Sequence, residues 1–202
     1  MKICLNNVLL LLLLLLMIMF SCSSASQNKE ADNYVQDACS VTHYRDLCIQ
    51  SLAPFSNSAK NNPSRWARAG VSVTIGEAKS VAQYLATTKR NKKATLGRGR
   101  NKIALSDCVE CFQDTLDNLH KSLIVLRKLS IGQFSSQLDD VNTWVSAALT
   151  DVDTCLDGFD EQKGKRVKYL LNRVSNVTYL TSNALALVNK LATTGPKCLI
   201  NE

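Results

Sequence analysis

Residues 107–119 read DCVECFQDTLDNL. Two cysteines, Cys108 and Cys111, share this stretch with the acids Glu110, Asp114 and Asp117. Apolar residues recur on both sides of it as Leu105, Cys108, Phe112, Leu116, Leu119, Leu123 and Leu126. Steps of three and four residues keep one face of a helix apolar. On a helical wheel of ~100° per residue, with Cys108 at zero, the apolar residues centre near ~35°. Glu110, Asp114 and Asp117 fall at roughly 180–240°, and Cys111 at about −60° on the flank. The acids therefore point away from the core that Cys108 enters, and the two residue types do separate work.

The same period extends in both directions. Asn62-Pro63 opens a helix as cap and first-turn proline, followed by Ala67, Val71, Thr74, Ala78, Val81 and Leu85. A helix from about Asn101 to Leu129 contains the quoted stretch, and Ile131-Gly132-Gln133 ends it. A third starts near Ser136 and carries Val141, Trp144, Val145, Ala148, Val152, Cys155, Leu156 and Phe159, with Trp144 read as core. The last runs from Val167 through Leu191 to the stop at Gly195-Pro196. Four long amphipathic helices with short links predict an all-α, up-down-up-down four-helix bundle over about 62–195. A shorter helical piece within about 33–60 holds Cys39 and Cys48 and is too small for a core of its own. It reads as an N-terminal helical hairpin closed by that cysteine pair.

The chain has 202 residues, enough for one domain once its leader is removed. Lys2 precedes an unbroken apolar run, Val8 to Phe20, and the small residues Ser23-Ser24-Ala25 follow. This is the pattern of a secretory signal peptide, residues 1–25, cut near Ala25. The run is shorter than the ~20 residues of a membrane span. The mature chain, 26–202, is thus expected outside the cell, where cysteines pair. Cys4 and Cys22 leave with the leader; Cys39, Cys48, Cys108, Cys111, Cys155 and Cys198 remain. Composition does not choose among their pairings. In an antiparallel helix pair, however, Cys108 near one start lies beside Cys155 near the other end. Cys111 and Cys198 fall at different levels of the bundle and are expected to stay unpaired. Cys108-x-x-Cys111 is neither a zinc set, which needs more ligands, nor a thioredoxin-type site, which needs a βαβ unit. With His43 and His120 as the sole histidines, no nucleophile pair is evident. No catalytic residue, metal or cofactor is implied, and the chain is read as no enzyme.

The formal charge is +7, and the segment 89–102 contributes Lys89, Arg90, Lys92, Lys93, Arg98, Arg100 and Lys102 with no acid among them. This basic segment is a candidate contact for a polyanion. Its ordinary alternative is a solvated helix junction. Nucleic acid is disfavoured by the leader. Asn176-Val177-Thr178 is a glycosylation acceptor facing away from its helix's apolar stripe.

Four segments in order, CSVTHYRDLC, ALSDCVECFQDTLDNL, DVNTWVSAALTDVDTCLDGF and VSNVTYLTSNALALVNKL, resemble the plant invertase/pectin methylesterase inhibitor family. The resemblance runs from about Val35 to Leu191. It implies a disulfide-stapled four-helix bundle with an N-terminal helical hairpin, and the pairs Cys39–Cys48 and Cys108–Cys155. It also implies a secreted protein of the apoplast that blocks the substrate cleft of pectin methylesterase reversibly and one-to-one. Similar sequences occur as pro-regions of some pectin methylesterases; ending at Glu202, this chain reads as a free-standing inhibitor. The enzyme-binding residues carried over are Glu110, Asp114, Asp117, Thr154 and Asp157, with Asn142 in addition. Without the resemblance, the ordinary explanation of such acids is a solvated face. Inhibitors of acid invertase, cell-wall or vacuolar, are the other branch and are associated with a Pro-Lys-Phe motif. Here the prolines are Pro54, Pro63 and Pro196, and Pro196-Lys197 is followed by Cys198. That departure places the esterase reading ahead of the invertase one. A reading of a different class is a pectin-binding cell-wall module, in which the basic segment 89–102 holds demethylated pectin.

Overall fold

The computed structural model describes residues 30–90, 99–159 and 164–199. The expected signal peptide, 1–25, and the middle of the basic segment lie outside the described residues. Helix α1 covers 30–38, and a 3-10 turn, Cys39–Val41, leads toward α2, Arg45–Leu52. A second 3-10 turn, Ala53–Phe55, and the short α3, Ser56–Ala59, complete the N-terminal piece. Four long helices follow: α4 Pro63–Arg90, α5 Arg100–Leu126, α6 Phe134–Asp157 and α7 Lys165–Thr194. The sequence reading set the end of α5 three residues late and the start of α6 two residues late, the usual error where helix ends fray. The cap of α4 is as expected: the Asn62 side-chain oxygen accepts the Arg65 N–H at 3.1 Å.

Around the bundle, α4 packs on α5, α5 on α6, α6 on α7 and α7 on α4. Polar ties between neighbours show the alternation of direction. Lys89 at the end of α4 donates to Ser106 near the start of α5 at 3.0 Å. Asn142 and Thr178 tie α6 to α7 through Asn189 at 2.8 Å and Asp153 at 3.3 Å. Arg173 of α7 donates to Ser80 of α4 at 2.7 Å. Inside, Leu85, Phe112, Leu119, Val145, Val152, Leu170 and Val188 are fully buried. The buried hydroxyls of Thr74, Thr115, Ser122 and Thr181 each donate to the carbonyl four residues earlier, so none is left unsatisfied.

Among the described residues the disulfides are Cys39–Cys48 and Cys108–Cys155, and Cys111 and Cys198, both half-buried, belong to neither. The pairs span 9 and 47 residues. By the chain-entropy argument they contribute roughly 2.5 and 4 kcal/mol. The N-terminal piece builds its core jointly with the bundle. Val35, Ala38, both hairpin cysteines, Leu52 and Ala59 pack on Trp66 and Ala69 of α4 and Leu187 of α7. Buried Asn183 of α7 accepts the Tyr44 N–H at 3.1 Å and donates to the Tyr44 carbonyl at 2.9 Å. Tyr44 also stacks on Tyr179 with ring centroids 4.2 Å apart.

Trp144 departs from its core reading: it is half-buried and belongs to neither core cluster. It stands roughly 40–60° to one side of Val141 and Ala148 on the wheel. The stripe narrows there, and the indole lies on its edge.

Two glycines of α4 separate packing from propensity. A Cβ on Gly70 would stand 2.9 Å from Leu187 Cδ1 and 3.4 Å from the Ala184 backbone; a Cβ on Gly76 would meet nothing within 4 Å. Gly76→Ala is therefore expected to raise unfolding stability by about 0.8–1 kcal/mol. Gly70→Val is expected to lower it by about 1–3 kcal/mol through overpacking. Urea unfolding of the two variants checks both signs.

Candidate functional site

Helices α5 and α6 lie antiparallel, joined by Cys108–Cys155 near the start of one and the end of the other. That crosslink brings the candidate residues of two helices to one end of one face. Glu110, Asp114 and Asp117 are exposed on α5, and Thr154 and Asp157 are exposed on α6. None of the four carboxylates makes an ion pair or a side-chain hydrogen bond among the described residues. The Thr154 hydroxyl donates back to the Thr150 carbonyl at 2.8 Å, leaving its lone pairs outward. Helix α6 has Asp139, Asp140, Asp151, Asp153 and Asp157 and no lysine or arginine. A face with so little internal charge compensation leaves its carboxylates open to cations or donors on another molecule.

Asn142 is not brought to this end. It lies more than three turns before Thr154, about 18 Å along the helix axis, and its amide is engaged by Asn189 of α7. Asn176 stands half-exposed on α7, while Thr178 of the same acceptor triplet bonds Asp153.

The groove between α5 and α6 adds residues outside the sequence-derived set. Asp151 is half-buried there and accepts from the Asn118 amide at 3.3 Å. Burial pushes its carboxyl above the usual range, and the negative charge of Asp114 adds to the effect; the Asn118 hydrogen bond opposes both. Cys111 lines the same groove. Burial raises its thiol first, then the field of Asp151, with Asp114 and Asp107 contributing and its own backbone hydrogen bond opposing. A thiol held protonated in this way is a poor nucleophile. Cys108 is committed to its disulfide, so the Cys108-x-x-Cys111 pair has no shared chemistry. Among the described residues, no group of three or more His, Cys, Asp or Glu is arranged to hold a metal ion. Asp107, Asn118 and Asp151 were missed, although Asp151 stands four residues before Cys155 and so on the flank facing α5.

The chain matches the family model described as plant invertase/pectin methylesterase inhibitor over residues 33–187. It is 49% identical over 164 residues to Pectinesterase inhibitor 6 of Arabidopsis thaliana, covering 80% of this chain and 77% of that one. It is 36% identical over 196 residues to Pectinesterase inhibitor 9 of the same plant, covering 93% and 95%. The crystal structure of a mutant form of a pectin methylesterase inhibitor from Arabidopsis superposes with a TM-score of 0.60 at 23% identity, over 75% of this chain and 92% of that one. At that identity the superposition establishes the bundle alone. The chain belongs to the plant invertase/pectin methylesterase inhibitor family.

The groove electrostatics generate a pH signature. Asp151 binds its proton more tightly in the folded chain than in the unfolded one. Between the two pKa values the folded state therefore holds more protons, and stability falls as pH rises through that window. Asp151→Asn removes this loss. Its stability relative to the native chain is expected to increase from pH 4 to pH 7 in denaturant unfolding curves; a difference independent of pH would contradict the assignment.

Proposed function

We propose that the chain is a secreted inhibitor of pectin methylesterase that acts by steric occlusion. The observation that carries this reading is the 49% identity to Pectinesterase inhibitor 6 across four-fifths of the chain. The protein performs no chemistry. Its α5/α6 face, with Glu110, Asp114, Asp117, Thr154 and Asp157, seats reversibly on the enzyme in a one-to-one complex and covers the substrate cleft. Uncompensated exposed carboxylates suit this work, because complementary charge across an interface speeds association and rejects wrong partners. Asp107 and the half-buried Asp151 extend the same negative field. Asn142 sits apart and contributes at most at the margin of the contact.

The rigid α5/α6 pair also supports the reading. The face is carried on two helices crosslinked at the level of the contact, so little ordering is required on binding. Secretion follows from the leader. Among the described residues no helix is long and apolar enough to cross a membrane. Asn176, half-exposed on α7, accepts a glycan in this reading, away from the α5/α6 face. Invertase is the other target in the family's description; the absent Pro-Lys-Phe motif keeps it second here.

The test uses the oxidised mature chain against a plant pectin methylesterase and a cell-wall invertase, side by side. The native chain is expected to inhibit the esterase. The combined Glu110→Ala, Asp114→Ala, Asp117→Ala variant is expected to raise the inhibition constant tenfold or more, a loss of at least about 1.4 kcal/mol, with an unchanged unfolding midpoint. A folded triple variant that inhibits as well as the native chain would sink the assignment of this face. Inhibition of invertase alone would overturn the choice of target.

A further inference from the structure

The edge of the bundle opposite α5/α6 has the reverse electrical character. Helix α7 carries Lys165, Arg166, Lys168, Arg173 and Lys190 and no acid. Helix α4 also carries Arg65, Arg68, Lys79, Lys89 and Arg90, but on the wheel these stand on its outer and α5-facing flank, Lys89 donating to Ser106 of α5, while the single acid Glu77 is on the flank facing α7, so the basic character of this edge comes from α7. Because α4 and α7 are antiparallel neighbours, the end of α4 and the start of α7 bring their bases to the same end. Within this basic edge lies an aromatic cluster that the esterase-blocking face does not use. Tyr84 of α4 and Tyr169 of α7 meet edge-to-face with ring centroids 5.6 Å apart. The Arg173 guanidinium stands 5.3 Å from the Tyr84 centroid and 6.0 Å from that of Tyr169, and one of its nitrogens donates to Ser80 at 2.7 Å. Tyr169 is 54% exposed, unusual for a large ring on a helix. Arg173 makes no ion pair with a carboxylate among the described residues, and Glu77 lies about one turn away along α4.

Each part of this cluster has a purpose if the ligand is an acidic polysaccharide. A sugar ring presents an apolar C–H face, which packs on a tyrosine ring, and hydroxyls, which the phenol and Ser80 can meet. A uronate adds a carboxylate, whose two oxygens match the planar guanidinium fork. Arg173 has five N–H donors and spends one on Ser80. That contact and the two rings hold the guanidinium in place before any ligand arrives. Exposed Lys165 and Arg166, about two turns before Arg173 and on its side of α7, continue the positive track along the chain direction of a linear polymer.

We infer that the α4/α7 edge, centred on Tyr84, Tyr169 and Arg173, is a docking groove for a linear polyuronate, the demethylated product of the enzyme that the opposite edge blocks. The choice of uronate over other polyanions rests on the proposed function; the groove itself rests on geometry. Its centre at Tyr84, Tyr169 and Arg173 lies more than one turn before the basic segment 89–102. With the two faces on opposite edges, one molecule can hold the wall polymer and the enzyme together. That arrangement concentrates the inhibitor where the enzyme has already acted.

The experiment is retention of the mature chain on immobilised polygalacturonate in a salt gradient. Fully methylesterified pectin and polyphosphate serve as comparison matrices, and esterase inhibition is measured in parallel. The native chain is expected to bind polygalacturonate, to pass through esterified pectin, and to bind polyphosphate more weakly. Tyr169→Ala and Arg173→Gln should each weaken polygalacturonate binding about tenfold while leaving esterase inhibition and the unfolding midpoint unchanged. Arg173→Lys should recover only part of the loss, because it restores charge without the planar fork. The inference is overturned if there is no retention, or if retention is unaffected by these variants and lost on neutralising the bases of 89–102. Equal binding to polyphosphate that ignores Tyr169 would overturn it too, marking general charge attraction. Inhibition is read on separate residues, so failure of the groove and failure of the inhibitor reading appear in different assays.

Discussion

The Cys108–Cys155 bond is the constraint on which the rest depends. It joins two helices whose outer flanks carry like charge: Asp107, Glu110, Asp114 and Asp117 on α5, Asp151 and Asp157 on α6. Left to electrostatics, these flanks would separate. The crosslink sits at the level of the acids, among the fully buried side chains of Phe112, Val152 and Phe159. Apolar burial and the covalent tie together hold the carboxylates nearer one another than their charges favour. Asp151 is held above the usual carboxyl range chiefly by burial, with the charge of Asp114 a smaller addition.

A second regularity is the sorting of charge around the bundle. The core is neutral, and the hydroxyls of Thr74, Thr115, Ser122 and Thr181 within it are satisfied in their own helices, so charge is confined to the outer faces. There α6 has only acids and α7 only bases. The α6/α7 seam is closed by mild polar contacts, Asn142 with Asn189 and Asp153 with Thr178, rather than by ion pairs. Opposite charges that neutralised each other across that seam would be unavailable to other molecules. Kept apart, they give the molecule two electrically distinct edges, one assigned here to an enzyme and the other to a polymer.

The N-terminal hairpin shows how a piece without its own core is held. Its disulfide limits the unfolded chain, but its position comes from α4 and α7: Trp66 and Leu187 beneath it, and Asn183 exchanging two hydrogen bonds with the backbone of Tyr44. A buried asparagine that satisfies both an N–H and a carbonyl of a turn specifies one docking geometry, because any shift leaves polar groups unpaired. At the surface, Lys190 adds a 2.9 Å ion pair with exposed Asp37, the kind of contact that contributes little by itself.

Much of this was legible in the residues alone. Apolar steps of three and four residues, the Asn62-Pro63 start and the Gly195-Pro196 stop determined four long helices, and the placement of Cys108 and Cys155 on the apolar stripes of antiparallel helices favoured the pairing that the family resemblance also implied. The outward direction of Glu110, Asp114 and Asp117 followed from the same wheel, because local geometry dictates which side of a helix a residue takes. What a wheel does not hold is the identity of the neighbouring helix. Only the tertiary structure placed Asp151 and Asn118 in the groove beside Cys111, turned Asn142 toward α7, left Trp144 at the edge of the core, and joined Tyr84 to Tyr169 and Arg173. Flank residues are decided by which helix packs beside them and at what level. That information resides in contacts between residues such as Ser80 and Arg173, ninety-three positions apart, and no local period carries it.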